Sequence, residues 1–459
     1  MILIHPSDNI LVSPTDGQKY ARRAIEAGER IIKYGYPIGE ATKAIEKGEM
    51  VHSHNMKTRL SGVGEFTFRG TAKLKEPTRS GSFLGYARPD GTVGIRNEIW
   101  ILPTVGCVNG TAKRLAEMTG AKAYTHPWGC SQLGGDLLTT QRTLAGLAKN
   151  PNAAGVLIVG LGCENNTMES FRRVLGDIDP RRIRFLVTQE SGDEIEEGLK
   201  LIAELAEYRD SFSRTPCPIS SLRLGLKCGG SDGYSGLSAN PLVGRIADRL
   251  CDYGGASLLT EVPEMFGGEE VLLDRCVSRE VFDRASSMMQ GFRDYFVSHG
   301  EGVSENPSPG NIEGGITTLE EKSLGCVQKG GSVPVTDVLT IGEQIRCGGL
   351  SLVSGPGNDI VAVTTLAASG AQMILFTTGR GTPLGGPVPT VKIATNNRLA
   401  ERKPLWIDYS AGKLAEGASF DDEADKLFRL LLEIAEGKET RSEINQTQEI
   451  SIFKDGVIL

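Results

Sequence analysis

The apolar positions of residues 1–60 fall in short pieces, 2–4, 10–12, 30–34 and 50–52, separated by Pro, Gly and Asp turns. Runs this short between turn residues predict a small β-rich module rather than helices. Two stretches inside it are alike, Ala24-Ile25-Glu26-Ala27-Gly28-Glu29 and Ala44-Ile45-Glu46-Lys47-Gly48-Glu49, and they predict two similar hairpin arms. The module ends in Val51-His52-Ser53-His54-Asn55, where an extended run would turn both imidazoles to one face. Residues 61–82 are dominated by Gly, Ser, Thr, Lys and Arg and show no period. They predict a linker, because such a segment buries too little apolar surface to offset its ordering entropy.

From Phe83 onward the pattern changes to apolar runs that end in polar, glycine-rich turns. Residues 99–105 run into Gly106-Cys107-Val108-Asn109-Gly110, and 155–159 into Gly160-Leu161-Gly162-Cys163-Glu164. Residues 222–226 run into Lys227-Cys228-Gly229-Gly230-Ser231-Asp232, 257–260 into Glu261-Val262-Pro263-Glu264, and 373–377 into Thr378-Gly379-Arg380-Gly381. A run at 184–188 precedes a helix over about 192–209. Repeated strand, turn and helix predict an α/β fold with a mainly parallel sheet and flanking helices. In such sheets ligands bind beyond the carboxyl ends of the strands, so the polar turns are expected to converge on one crevice. Leu199, Ile202 and Leu205, and later Leu427, Leu430, Leu431 and Ile434, follow helical spacing and read as core. The implied division is 1–60, a linker over 61–82, a middle region over 83–218 and a C-terminal α/β domain over 219–459.

Charge and composition narrow the function. With 57 acidic and 50 basic residues the net charge is −7, and no basic tract is present, so nucleic-acid or anionic-membrane partners are not expected. No run reaches the roughly 18 apolar residues of a membrane span, and the N-terminal residues lack a signal-peptide pattern. The expectation is a cytoplasmic protein with a small-molecule partner. Glycine is overabundant, 58 residues, and clusters at the ends of apolar runs with Cys, Asn and Asp. Nine cysteines, an odd number, read as reduced thiols rather than a disulfide framework. Cys217, Cys251 and Cys276 stand in ordinary surroundings and read as small buried apolar groups.

No phosphate or dinucleotide fingerprint is present; the turn after residue 159 lacks the third glycine and carries Glu164 where a pyrophosphate would sit. Instead, His126 and Cys130 frame a tight turn, Cys163-Glu164 and Cys228 end two runs, and Glu261 and Glu264 end a third. Sulfur, imidazole and carboxylate together suit Fe, Zn or Mn better than Ca or Mg. The ligand set expected is His126, Cys130, Cys163, Glu164, Cys228 and Glu264. Arg96 and Arg380 lie among glycines and suit bidentate recognition of a carboxylate, with Asn97 and Asp232 as further substrate-binding candidates. Lys322 and Lys329 flank Cys326, and a lysine near a metal acts as a base if its pKa is depressed.

Several motifs resemble the altronate/galactarate dehydratase family: Gly85-Tyr86-Ala87-Arg88-Pro89-Asp90-Gly91, Pro103-Thr104-Val105-Gly106-Cys107, Gly160-Leu161-Gly162-Cys163-Glu164-Asn165, Lys227-Cys228-Gly229-Gly230-Ser231-Asp232-Gly233, Asn306-Pro307-Ser308-Pro309-Gly310-Asn311 and Thr377-Thr378-Gly379-Arg380-Gly381. The resemblance covers nearly the whole chain. It implies a β-clip (SAF-type) N-terminal domain, a middle region that helps form a homodimer, and a Rossmann-like C-terminal domain. It also implies a hydro-lyase that needs a divalent metal, iron in particular with manganese as an alternative, under reducing conditions. His52-Ser53-His54-Asn55, Trp128-Gly129-Cys130-Ser131-Gln132 and Cys326 look more like the altronate branch, which implies conversion of D-altronate to 2-dehydro-3-deoxy-D-gluconate and water. The sister reactions on galactarate or sulfolactate are the alternatives, as is a non-catalytic sugar-acid-binding protein. Read onto that reaction, Arg96, Asn97, Arg380 and Asp232 hold the substrate, and His52, His54 and Lys329 are the candidate proton carriers. An iron–sulfur cluster on Cys107, Cys130, Cys163 and Cys228 is the alternative to a single ion.

Overall fold

The computed structural model describes residues 1–60, 66–303 and 306–459. The N-terminal module holds two three-stranded antiparallel sheets, one of Ile10–Val12, Lys19–Ala21 and Met50–Val51, the other of Arg30–Lys33, Tyr36–Ala41 and Met56–Lys57. The two similar stretches meet each other instead of forming separate arms. Ile25 bridges Ile45, Gly28 and Gly48 adopt left-handed φ of 80° and 83°, and the Glu29 and Glu49 carboxylates each accept from the backbone N–H three residues earlier at 3.0 Å. The expected extended run at His52 and His54 is a turn: Met56 N–H reaches His52 C=O at 3.0 Å and the Asn55 side chain accepts from His52 N–H at 2.9 Å. The two imidazoles therefore do not share a strand face.

The module's apolar core is continuous with Tyr234, Leu237 and Leu324 of the C-terminal part. Two fully buried lysines, Lys19 from one sheet and Lys33 from the other, meet Glu321 at 2.9 and 2.8 Å across the same junction. Of the expected linker, 61–65 lie outside the described residues. Residues 66–81 have no regular structure and run over the C-terminal part, anchored by Phe68 against Phe282 and Arg69 against Asp274 at 2.8 Å.

The middle region carries a four-stranded parallel sheet in the order Lys122–Ala123, Glu98–Pro103, Ala153–Gly160, Ile183–Val187. Alternate strand residues feed two cores, as a sheet covered on both faces requires. Ile99, Ile101, Leu157 and Val159 pack with helices Asn109–Thr119 and Glu194–Asp210. Trp100, Leu102, Val156 and Ile158 share a core with helix Gly134–Ala148 and with the C-terminal helix Asp359–Ala368. A separate antiparallel sheet, Thr215–Pro218, Ser82–Ala87 and Val93–Gly94, joins the middle region to the largest core.

The C-terminal sheet has seven strands, all parallel, in the order Val335–Leu339, Gly349–Val353, Ala256–Leu259, Arg223–Cys228, Met373–Thr378, Thr390–Ala394, Tyr409–Ser410. The chain leaves its first strand, Arg223–Cys228, toward one side of the sheet and later returns to its other side at Met373–Thr378. This switch point is where a parallel sheet opens a crevice at its carboxyl edge. Among the described residues, no helix is long and apolar enough to cross a membrane.

Candidate metal centre

Strand Arg223–Cys228 is buried on both faces and delivers Cys228 to the carboxyl edge of the sheet. Its neighbour Ala256–Leu259 runs into Glu261, held at φ 69°, and a short 3-10 turn that carries Glu264. Helix Leu319–Cys326, capped by Thr318, ends at the fourth residue, Cys326. Ligand atoms of Cys228, Glu261, Glu264 and Cys326 all lie within 4.8 Å of one another, and all four residues are buried. The Glu264 carboxylate is 3.1 Å from the Cys228 sulfur and 3.3 Å from that of Cys326, and the two sulfurs are 3.7 Å apart. Among the described residues this is the one group of three or more His, Cys, Asp or Glu placed so.

Three lysines close around it. Lys329 contacts the Cys326 sulfur at 2.8 Å and Glu261 at 3.3 Å, Lys322 pairs with Glu264 at 2.9 Å, and Lys227 pairs with Glu261 and, at 2.9 Å, with Asp359. Burial opposes charge on Lys329, but the surrounding sulfurs and carboxylates outweigh it and hold the ammonium form well above the usual lysine range. A lysine base calls for the opposite, a lowered pKa; here Lys329 stands as the counter-charge to Glu261 and the Cys326 sulfur. Burial likewise opposes ionisation of Glu264, and Lys322, Lys227 and Lys329 pull its pKa to about 2. Glu261 is pushed up by burial and by Glu264. The left-handed backbone at Glu261, rare outside glycine, lets one carboxylate meet Lys227, Lys329 and the Cys228 N–H at 3.1 Å. Two sulfurs and two carboxylates facing a common point, with cations behind them, suit a borderline divalent transition ion rather than Ca or Mg.

A hydrogen-bonded path leads from the centre to an open crevice. Lys322 also reaches the Asn311 side chain at 3.2 Å, and Asn311 donates to Ser231 C=O at 2.8 Å. Beyond lies a cavity of about 450 Å³ lined by Asp232, Tyr234, Arg380, Asn396 and Arg398. Arg380 is half exposed there and donates to Gly310 C=O and Glu313. Asp232 is buried, accepts from Thr395 and Asn396, and burial raises its pKa. His52 reaches the same loop, its Nε2 3.1 Å from Ile312 C=O, while His54 is exposed on the turn beside it.

Residues 219–458 match the family described as D-galactarate/altronate dehydratase, C-terminal; 85–210 match the second domain of D-galactarate dehydratase/altronate hydrolase; 14–59 match the altronate/galactarate dehydratase SAF domain. The chain belongs to the altronate/galactarate dehydratase family. It is 47% identical to the altronate dehydratase of Escherichia coli (strain K12), over 96% of this chain and 92% of that one. It is 44% identical to the altronate dehydratase of Bacillus subtilis (strain 168), over 100% and 99%. Against the galactarate dehydratase (L-threo-forming) of Escherichia coli (strain K12) the figure is 32%, over 92% and 86%.

Within this dehydratase-family fold, the residues expected to gather around one ion divide into separate places. Cys228 and Glu264 meet at the centre described. His126, Cys130, Cys163 and Glu164 lie instead at the edge of the four-stranded middle sheet. His126 is buried with Nε2 2.8 Å from Pro103 C=O and Nδ1 accepting from Trp128 N–H at 3.1 Å, so neither nitrogen is open to an ion. Glu164 accepts from Gly162 N–H, Leu161 N–H and Thr104 and closes its own loop. Arg96 does not line the crevice: its guanidinium grips Glu443 at 2.7 and 3.0 Å and donates to Ile434 and Lys438 carbonyls. Asn97 bridges Arg88 and Arg209 C=O. A carboxylate 347 residues away in the chain has taken the fork that the glycine-rich sequence suggested was free.

Glu261, Cys326 and Lys227 complete the centre without having been in the expected ligand set. Glu261 opens the Glu-Val-Pro-Glu turn, and Lys227 stands beside Cys228 in the sequence. Cys326 is four residues from Lys322 and three from Lys329, the spacing that stacks side chains on one helix face.

Proposed function

We propose that the chain is a metal-dependent hydro-lyase that converts D-altronate to 2-dehydro-3-deoxy-D-gluconate and water at the carboxyl edge of the C-terminal sheet. The observation that carries this reading is the buried Cys228, Glu261, Glu264 and Cys326 set, joined through Lys322, Asn311 and Ser231 to the residues beside the cavity that holds Arg380. The two altronate dehydratases at 44% and 47% identity support the substrate. A divalent ion held there, iron or manganese, supplies Lewis acidity toward the α-hydroxy-acid head of the substrate. Arg380 presents a fork for the carboxylate. His52, carried in by the N-terminal module with His54 next to it, takes the proton from carbon 2. A buried ammonium, Lys322 or Lys329, protonates the departing 3-hydroxyl, and the resulting enol tautomerises to the 2-keto acid. The seven-stranded sheet reads as a Rossmann-like variant whose fourth strand, Gly349–Val353, is inserted between the second and the third. The enzyme works in the cytoplasm as a homodimer, which sedimentation of the purified protein tests directly.

The deciding experiment assays anaerobically purified, iron-loaded protein on altronate, galactarate and sulfolactate side by side. Altronate is expected to give the 2-keto product fastest, with at least a 100-fold fall, on the order of an electrostatic catalytic group, in Cys326→Ser and Glu261→Gln, together with loss of bound iron. Faster turnover of galactarate or sulfolactate, or full activity in both variants, defeats the reading.

A further inference from the structure

Three of the exposed cysteines are left unused by that chemistry, and they are not scattered. Cys107 follows strand Glu98–Pro103, Cys163 follows strand Ala153–Gly160, and Cys130 lies in the loop after Lys122–Ala123. These are three neighbouring parallel strands, so all three thiols issue from one edge of one sheet. Each is preceded by glycine. At Gly129, with φ 105°, an added Cβ would lie 2.0 Å from Thr104 C=O, so the backbone carrying Cys130 presses directly onto the segment that leads to Cys107. Gly162, with φ 125°, also holds a conformation that side chains avoid.

The three loops are tied together. Gly106 N–H donates to Trp128 C=O at 2.9 Å, Asn166 N–H to Gly129 C=O at 2.9 Å, the Asn166 side chain to Thr104 C=O at 3.0 Å, and Ser131 N–H to the Asn165 side chain at 2.8 Å. Ser131, next to Cys130, is strained at φ 55°. The turn after the fourth strand of the sheet contributes Gln189, whose amide donates to the Cys163 sulfur at 3.4 Å. Two buried polar atoms in these loops have no partner: Asn109 Oδ1, two residues after Cys107, and Gln132 Nε2, two residues after Cys130. Orphaned buried polar atoms and backbone strain concentrate where a ligand is to be held.

We propose that Cys107, Cys130 and Cys163 bind an iron–sulfur cluster, at a site distinct from the Cys228–Cys326 centre. The three sulfurs do not fall within 4.8 Å of one another as the four ligands of the C-terminal centre do, which suits a bulky cluster better than a single tetrahedral ion with its bonds of about 2.3 Å to sulfur. Three protein thiolates leave one iron of a four-iron cluster open to water or to an oxygen of a hydroxy acid. The three thiols give up their protons on binding, and the Gln189 amide hydrogen-bonds a ligating sulfur, a contact that tunes cluster potential.

Full-length protein is reconstituted anaerobically with ferric iron, dithiothreitol as reductant and sulfide, then desalted. Expected are a brown colour with broad visible absorbance, and acid-labile sulfide accompanied by iron in excess of it by the single ion of the C-terminal centre. Cys107→Ser, Cys130→Ser and Cys163→Ser each lose the absorbance and the sulfide. Cys228→Ser and the exposed Cys347→Ser keep them, and all variants retain the far-UV circular dichroism of the parent. Iron bound without labile sulfide, sulfide retained in the three loop variants, or sulfide lost in Cys228→Ser overturns the proposal. None of these readouts depends on turnover of altronate, so the cluster and the dehydratase reading fail or stand separately.

Discussion

At the residue scale, the difference between a ligand and a strut is made by partners distant in sequence. Arg96 and Cys228 stand in equally glycine-rich, polar turns. One is consumed by a buried ion pair with Glu443 and the other is left facing two carboxylates and a second sulfur. Nothing local distinguishes them, because the deciding contacts span 347 residues in one case and 98 in the other. Removing one member of a buried pair strands a charge at a cost of about 3–5 kcal/mol. Glu443→Gln is therefore expected to lower the unfolding free energy from denaturant titration by that order while leaving turnover per folded molecule unchanged. A loss of turnover without a loss of stability would return Arg96 to the substrate site.

At the element scale, the strands that the sequence reveals are those with unbroken apolar runs, such as 155–159, observed as Ala153–Gly160. Val335–Leu339 is not evident in the sequence, since Thr336 and Asp337 interrupt it, and Asp337 is there to meet Arg284 and Arg346. The loop after Lys122–Ala123 shows how an element can be pH-sensitive without being catalytic. Burial drives the His126 imidazole down to about 4 from its ordinary 6.5, and its contact with Pro103 C=O only partly offsets this. The unfolded chain takes up a proton between those values and the folded one does not. Stability is thus complete above about pH 6.5 and declines as pH falls toward 4, by about 3 kcal/mol in all. Thermal melts of the parent and of His126→Gln across this range are expected to converge as the pH falls; parallel curves would remove His126 as the cause.

At the scale of the whole molecule, helix Leu319–Cys326 works on two sides. Glu321 faces Lys19 and Lys33 of the N-terminal module, while Lys322 and Cys326 face the metal centre. Burial opposes charge on Glu321, yet the two lysines hold its pKa at about 2 against an ordinary 4.5. Its contribution is present above about pH 4.5 and disappears as pH falls toward 2. Glu321→Gln leaves two buried lysines without a counter-ion, so it is expected to cost about 3–5 kcal/mol and to cut turnover, because His52 rides on the released module. Limited proteolysis of the variant at neutral pH should free the N-terminal fragment; an intact module with full activity would show that apolar contacts alone hold it.

That triad also changes what the covalent connection between the two parts is for. The apolar core shared with Tyr234, Leu237 and Leu324, together with one carboxylate gripping two lysines, already specifies how the module seats itself. A gene cut in two within the exposed stretch 70–75 should thus still yield an assembled enzyme from two separately translated pieces.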